Sequence, residues 1–190
     1  MLPLEAYLAA RDQFQAGVRA ARAVRRVQVG DRISLTFENR QTVLFQIHEM
    51  IRVEQIRKPA KIAEEVGVYN DLIADDGELR ATFFVEITNR GRIRHDLDSL
   101  VGLENEGLYL VIGGERIPAE FEPGHAREDR ISAVHYVRFP LSGAQQAALG
   151  RADGDARIVV EHPHYSAEAV LSPQTRAALV ADLGGVPVRD

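Results

Sequence analysis

From Leu79 to Thr88 two sets of side chains alternate without a break, Leu79, Ala81, Phe83, Val85 and Ile87 against Arg80, Thr82, Phe84, Glu86 and Thr88. A period of two puts each set on its own face of an extended strand, and the apolar face must be covered for the chain to fold. Ile33, Leu35 and Phe37 repeat the pattern against Arg32, Ser34 and Thr36. Leu108–Ile112 and Glu115–Phe121 flank Gly113 and Gly114, and paired glycines supply the positive backbone dihedrals of a tight hairpin. Ile131–Phe139 and Ala156–Val160 read as further strands, with a loop over Glu122–Arg130. Helical periodicity is confined to the two ends. Leu4–Val24 reads as one helix, or two interrupted near Gly17; Asn39 caps a second helix that Pro59 stops or kinks; a third runs from Ala60 to about Ile73. A short helix follows Ser172, with Pro173 at its first position and Gly184 and Gly185 at its end. Helices first and strands afterwards, without regular alternation, predict an α+β fold: N-terminal helices packed on a mostly antiparallel β-sheet, with a short C-terminal helix. That order disfavours a doubly wound dinucleotide-binding fold.

The 190 residues suit a single α+β domain spanning 1–190, with residues 1–26 an N-terminal helical arm. A hydrophobic fraction of 45% and a charged fraction of 27% are those of a globular chain. No run approaches the roughly 18 apolar residues that a bilayer span needs, and no basic stretch followed by an apolar one opens the chain, so it reads as cytoplasmic. There is no cysteine, hence no disulfide, thiolate ligand or Cys nucleophile, and any iron–sulfur cluster must belong to a partner. The net charge of -5 argues against general nucleic-acid binding. Charge is uneven, however: Arg19, Arg22 and Arg26 fall at helical spacing, either a site for RNA or an acidic partner or a solvated, salt-bridged face.

Polar groups that break the pattern are the candidate functional residues. On a helix beginning after Asn39, about 100° per residue places Val43, Leu44, Ile47, Met50 and Ile51 on one apolar arc. Glu54 falls near its centre and Glu49 near its edge, with His48, Arg52 and Gln55 opposite. An enclosed Glu54 requires a cation, a metal or a raised pKa. The alternative is an exposed last turn in which Glu54 pairs with Lys58. Glu65 and Tyr69 stand one turn apart on the next helix, where they can face Glu54, so that Glu49, Glu54 and Tyr69 form the candidate catalytic set; a solvated acidic face with a core tyrosine is the alternative. His162 and His164 point to one side of an extended chain, and His135 or Glu86 from neighbouring strands can complete the set, with His135, His162 and His164 the candidate metal ligands. The alternative there is a turn with a satisfied imidazole. No nucleophile elbow is present, and covalent catalysis is not expected.

The stretches FENRQTVLFQIHEMIRVEQI, VGVYNDLIADDGELRATFFVEI, AVHYVRFPL and VVEHPHYSAEAVLS, distributed between Val27 and Leu183, resemble an uncharacterised bacterial family, domain of unknown function 3501. The resemblance carries no activity. It implies a setting, because members are encoded beside rubrerythrin-like diiron proteins and iron–sulfur oxidoreductases resembling a heterodisulfide reductase subunit. The expected role is a non-catalytic accessory or interaction partner in such a redox or oxidative-stress system, with a rubrerythrin-like or iron–sulfur protein, or a second copy of the chain as a homo-oligomer, as partner. No resident cofactor is expected. The alternative is a metal-binding protein or enzyme with a Glu/His/Tyr pocket, for which a divalent metal is the candidate cofactor.

Overall fold

The computed structural model describes residues 2–70, 72–122, 131–151 and 154–184, and it has the predicted α+β class. The expected loop lies outside the described residues beyond Glu122. Helix α1, Leu4–Ala23, is continuous through Gly17, where a Cβ would stand 3.1 Å from the side-chain amide of Gln41; glycine lets the next helix approach closely. Strands β1 (Arg26–Val29) and β2 (Ile33–Glu38) form a hairpin, so Arg26, expected to end the arm, already lies in sheet. Helices α2 (Arg40–Val53) and α3 (Pro59–Asn70) follow. Asn39 caps α2 as expected: its side chain accepts from the Thr42 amide, and the Thr42 hydroxyl accepts from the Asn39 amide.

The rest of the chain supplies β3 (Glu78–Val85), two short helices α4 (Ile93–Asp98) and α5 (Leu103–Glu106), β4 (Leu108–Ile112), β5 (Glu115–Pro118), β6 (Glu120–Phe121) and β7 (Val134–Pro140). Helix α6 (Gly143–Leu149), β8 (Ala156–His162), β9 (Tyr165–Val170) and α7 (Pro173–Leu183) complete it. The strands form two antiparallel sheets where a single sheet was expected, in the orders β1-β2-β3-β7-β6 and β5-β4-β8-β9. The alternating apolar sets explain the pairing of layers. Leu35, Phe37, Leu79, Ala81, Phe83 and Phe139 of the first sheet share one buried cluster with Leu108, Leu110, Ile158 and Val160 of the second. The Tyr165 hydroxyl ties the sheets together, donating to the Val29 carbonyl at 2.6 Å and accepting from the Arg32 amide. Arg25 holds both carboxylate oxygens of Asp182, at 2.9 and 3.0 Å, and fastens α7 to the start of β1.

Helices α1, α2 and α3 lie on the other face of the first sheet around a smaller cluster of Val43, Ile47, Ile51 and Leu72, against which Ile62, Val66, Tyr69 and Tyr136 pack. Among the described residues no helix is long and apolar enough to cross a membrane.

Candidate functional site

Glu54 is exposed, and the reason is backbone geometry. Helix α2 ends at Val53, well before Pro59, and Glu54 is its C-cap. Gln55 adopts a left-handed φ of 51°; its amide reaches the Arg52 carbonyl and the Ile56 amide reaches the Ile51 carbonyl at 3.0 Å, with Ile56 folding back onto the cluster that contains Ile51. These are the paired bonds and apolar contact of a Schellman termination. The helical projection that placed Glu54 in the apolar arc therefore stops one residue short of it. Glu54 is exposed as in the alternative, but no ion pair with Lys58 forms among the described residues.

Of the two candidate carboxylates on α2, the one with a specific counter-group is Glu49. It accepts from the Tyr7 hydroxyl at 2.6 Å, from Nε and Nη2 of Arg11 at 2.9 Å each, and from Nε and Nη2 of Arg52 at 3.0 Å each. The bonds from Arg11 hold its pKa well below the ordinary carboxylate range, helped by Arg52 and Tyr7 against the opposing effect of burial. Tyr7 is fully buried, and burial together with the bond to Glu49 pushes its phenol up to about 12. Beside it His48, placed by periodicity on the face away from the core, is only 2% exposed: α1 covers that flank, and Tyr7 stacks on the imidazole with ring centroids 4.5 Å apart. Its Nε2 accepts from the Leu2 amide, which leaves Nδ1 to donate to the Leu44 carbonyl at 2.8 Å. Together these residues lock the arm to α2.

Glu49 and Glu54 are thus parted, one turned to α1 and the other at the end of α2. Tyr69 is half-buried, and its phenol pKa is raised by burial, then by Tyr136, Glu65 and Glu54, which places it in the field of the acids expected to face it. His135, in β7, is 1% exposed, meets the Ser132 carbonyl at 3.0 Å and lies edge-on to Phe83 and Phe121. His162 ends β8 in the other sheet, where its Nδ1 accepts from the His164 amide and its Nε2 donates to the Val101 carbonyl at 3.0 Å. The chain turns at Pro163 and His164 before β9, so the extended geometry assumed for a chelate is absent. Among the described residues no three His, Asp or Glu side chains are gathered as a metal set.

An open cleft of about 310 Å³ lies between the end of α1, the middle of α2 and the outer face of the first sheet. Its floor is a row across three strands, Thr36 opposite Thr82 and Thr82 opposite Tyr136, with Phe84 opposite Val134 in the next row. Arg22 from α1, Arg26 from β1 and Gln46 from α2 form its wall. Glu38 is 6% exposed, with one carboxylate oxygen accepting from Thr42 and the other from Thr82 at 2.8 Å. The Tyr136 phenol pKa is raised by burial, then by Glu38 and Glu122, which keeps the hydroxyl protonated. Arg26 pairs with Glu86, whereas Arg22 Nε is shut from solvent with no acceptor among the described residues. Of this lining only Arg22 and Arg26 were marked in the sequence, as part of a cationic helix face. Glu38, Thr82 and Tyr136 carried a weaker signal, as polar residues on the strand faces turned from the core. A larger open cleft of about 440 Å³, between α6 and the β4–β5 turn, is lined by none of the expected site residues.

A family model described as protein of unknown function (DUF3501) matches residues 1–183. A crystal structure of a novel protein of unknown function from Burkholderia pseudomallei is similar at 35% sequence identity over 96% of each chain, with a TM-score of 0.88. No curated protein matches significantly.

Proposed function

Proceeding from a chain that belongs to the DUF3501 family, we propose a non-catalytic accessory protein that docks on a redox partner, a rubrerythrin-like diiron protein or an iron–sulfur oxidoreductase. The observation that supports this most is the engagement of Glu49: five hydrogen bonds commit it to fixing α1 on α2, a structural use of the most strongly perturbed carboxylate. The imidazoles of His48, His135 and His162 are likewise bonded to backbone groups. A chain without cysteine relies on its partner for any cluster held by thiolates. The helical layer offers the docking face, since Leu8 of α1, Val53 of α2 and Val68 of α3 are 49%, 65% and 63% exposed. Co-purification from the native host at physiological salt is expected to recover a diiron or iron–sulfur protein, and Val53→Glu with Val68→Glu to lose it while circular dichroism stays unchanged. Repeated recovery of this chain alone, or as a second copy only, overturns the proposal.

One observation favours a second reading. Tyr69, its phenol shifted by burial and flanked by Glu65 and Glu54, has the surroundings of a proton-transfer group. Glu54→Gln discriminates: a catalytic Glu54–Tyr69 pair loses turnover, whereas a docking protein binds its partner as before.

A further inference from the structure

We propose that the cleft between α1, α2 and the outer face of the first sheet binds a small organic monocarboxylate with an apolar body, its carboxylate taken by Arg22. This site is independent of the docking face proposed above.

Three features lead to that class. The first is Arg22 itself. It makes no ion pair among the described residues, and its buried Nε lacks an acceptor, a costly arrangement for a cation's donor. The Nε edge of a guanidinium, with one terminal nitrogen, is the edge that grips both oxygens of a carboxylate, and binding requires Arg22, which lines the cleft, to turn that edge towards it. The arginines beside it are committed, Arg25 to Asp182 and Arg26 to Glu86, as are Arg11 and Arg52 to Glu49.

The second is the charge of the floor. Glu38 lies in the same cleft, so a single unpaired cation faces a fixed anion. The opposed charges largely cancel, so the protein's field gives little to offset the desolvation of a dianionic phosphate, a cost that is much smaller for a monoanion. The third is the shape of the lining. Phe84 and Val134 form an apolar row beside the polar row of Thr36, Thr82 and Tyr136, with Gln46 above, so that a ligand's ring or short chain lies along the first and its polar substituent along the second. A volume of about 310 Å³ falls at the small end of ligand pockets, which suits a molecule of benzoate size and excludes a nucleotide.

The test is titration of the full-length protein with benzoate, 4-hydroxybenzoate, hexanoate and inorganic phosphate, followed by calorimetry and by NMR shifts of the Tyr136 ring and the Gln46 side-chain amide. A carboxylate probe is expected to saturate and to move those signals. Arg22→Gln is expected to weaken it about tenfold or more, and Arg19→Gln, which removes the same charge from an exposed position of the same helix, to leave it unchanged. Should Arg22→Gln not fold, Val134→Trp decides, because it fills the cleft from a rim position that is 37% exposed and is expected to abolish binding. No saturable binding by any carboxylate, equal losses in the Arg19 and Arg22 variants, phosphate binding as tightly as the carboxylates, or shifts confined to another surface each overturn the site.

Discussion

Removing the Glu49 carboxylate leaves Tyr7, Arg11 and Arg52 clustered around an uncharged amide, and Glu49→Gln is expected to lower stability by about 2 kcal/mol at neutral pH. The figure is modest because the pair is reached by solvent, with 29% and 21% of the Arg11 and Glu49 side chains exposed. Its pH dependence has a definite sign. The folded pKa of Glu49 is depressed, so the unfolded chain takes up its proton first, near the ordinary value of about 4.3. The contribution is complete above that value and is lost as pH falls towards the folded pKa. Urea denaturation at pH 7 and at pH 3 should therefore show the gap between wild type and variant shrinking in acid; a gap that stays constant or widens refutes the lock. A sequence shows such a group only as a carboxylate at the edge of an apolar arc. Its partners Tyr7 and Arg11 stand 42 and 38 positions away, beyond the reach of any helical spacing.

At the scale of the element, α2 stops by a device that normally recruits glycine. Gln55 carries a φ of 51°, where a Cβ is disfavoured, so Gln55→Gly is expected to raise stability by about 0.5–1 kcal/mol, read as an increase of a few degrees in Tm. A fall in Tm would show that the Gln55 side chain makes a contribution larger than the strain it incurs. This position also shows where the sequence was legible. Strands β2 and β3 were read from their period of two, the start of α2 from Asn39, the β4–β5 turn from Gly113 and Gly114 and the start of α7 from Ser172, because each signal is a local steric or hydrogen-bonding requirement. The end of α2 was not, since a non-glycine left-handed residue carries no local mark, and that miss left Glu54 open between the apolar arc and an exposed last turn. Short helices such as α4 and α5 are one or two turns long, and tertiary packing of Leu97 and Leu103 sustains them without a repeating pattern to detect. The division into two sheets was hidden for a related reason: each strand shows which face is apolar, but not which strand lies beside it. The cleft was hidden similarly, because Thr36, Thr82 and Tyr136 become one row only through the register of β2, β3 and β7.

The whole molecule combines two cores of unequal size, and that inequality governs how it opens. Between the sheets lies the larger cluster, which joins residues from Val27 to Leu179. Under the helices the buried cluster holds only Val43, Ile47, Ile51 and Leu72, α1 adds Tyr7 and Val18, and α3 has no buried residue of its own. Local stability follows buried apolar contact, so α3 and then α1 and α2 should open while the sheets remain closed. The ties from Glu49 and from Arg25 to Asp182 oppose this opening without filling the deficit of buried surface. Native-state hydrogen exchange in graded urea is expected to give α3 amides the lowest opening free energy, those of α1 and α2 an intermediate one, and those of β3, β7, β4 and β8 the global value. Isotherms that merge for all three groups before any denaturant is added would instead describe one cooperative unit. The cleft gives the experiment a second use, since its walls come from both layers: Arg22 and Gln46 move with the helices, Thr82 and Tyr136 with the sheet. A carboxylate seated there binds only while the layers are together. At about 100 times its Kd it should raise the opening free energy of α1 and α2 by about 2.7 kcal/mol, up to the global limit, and leave the fraying of α3 unchanged.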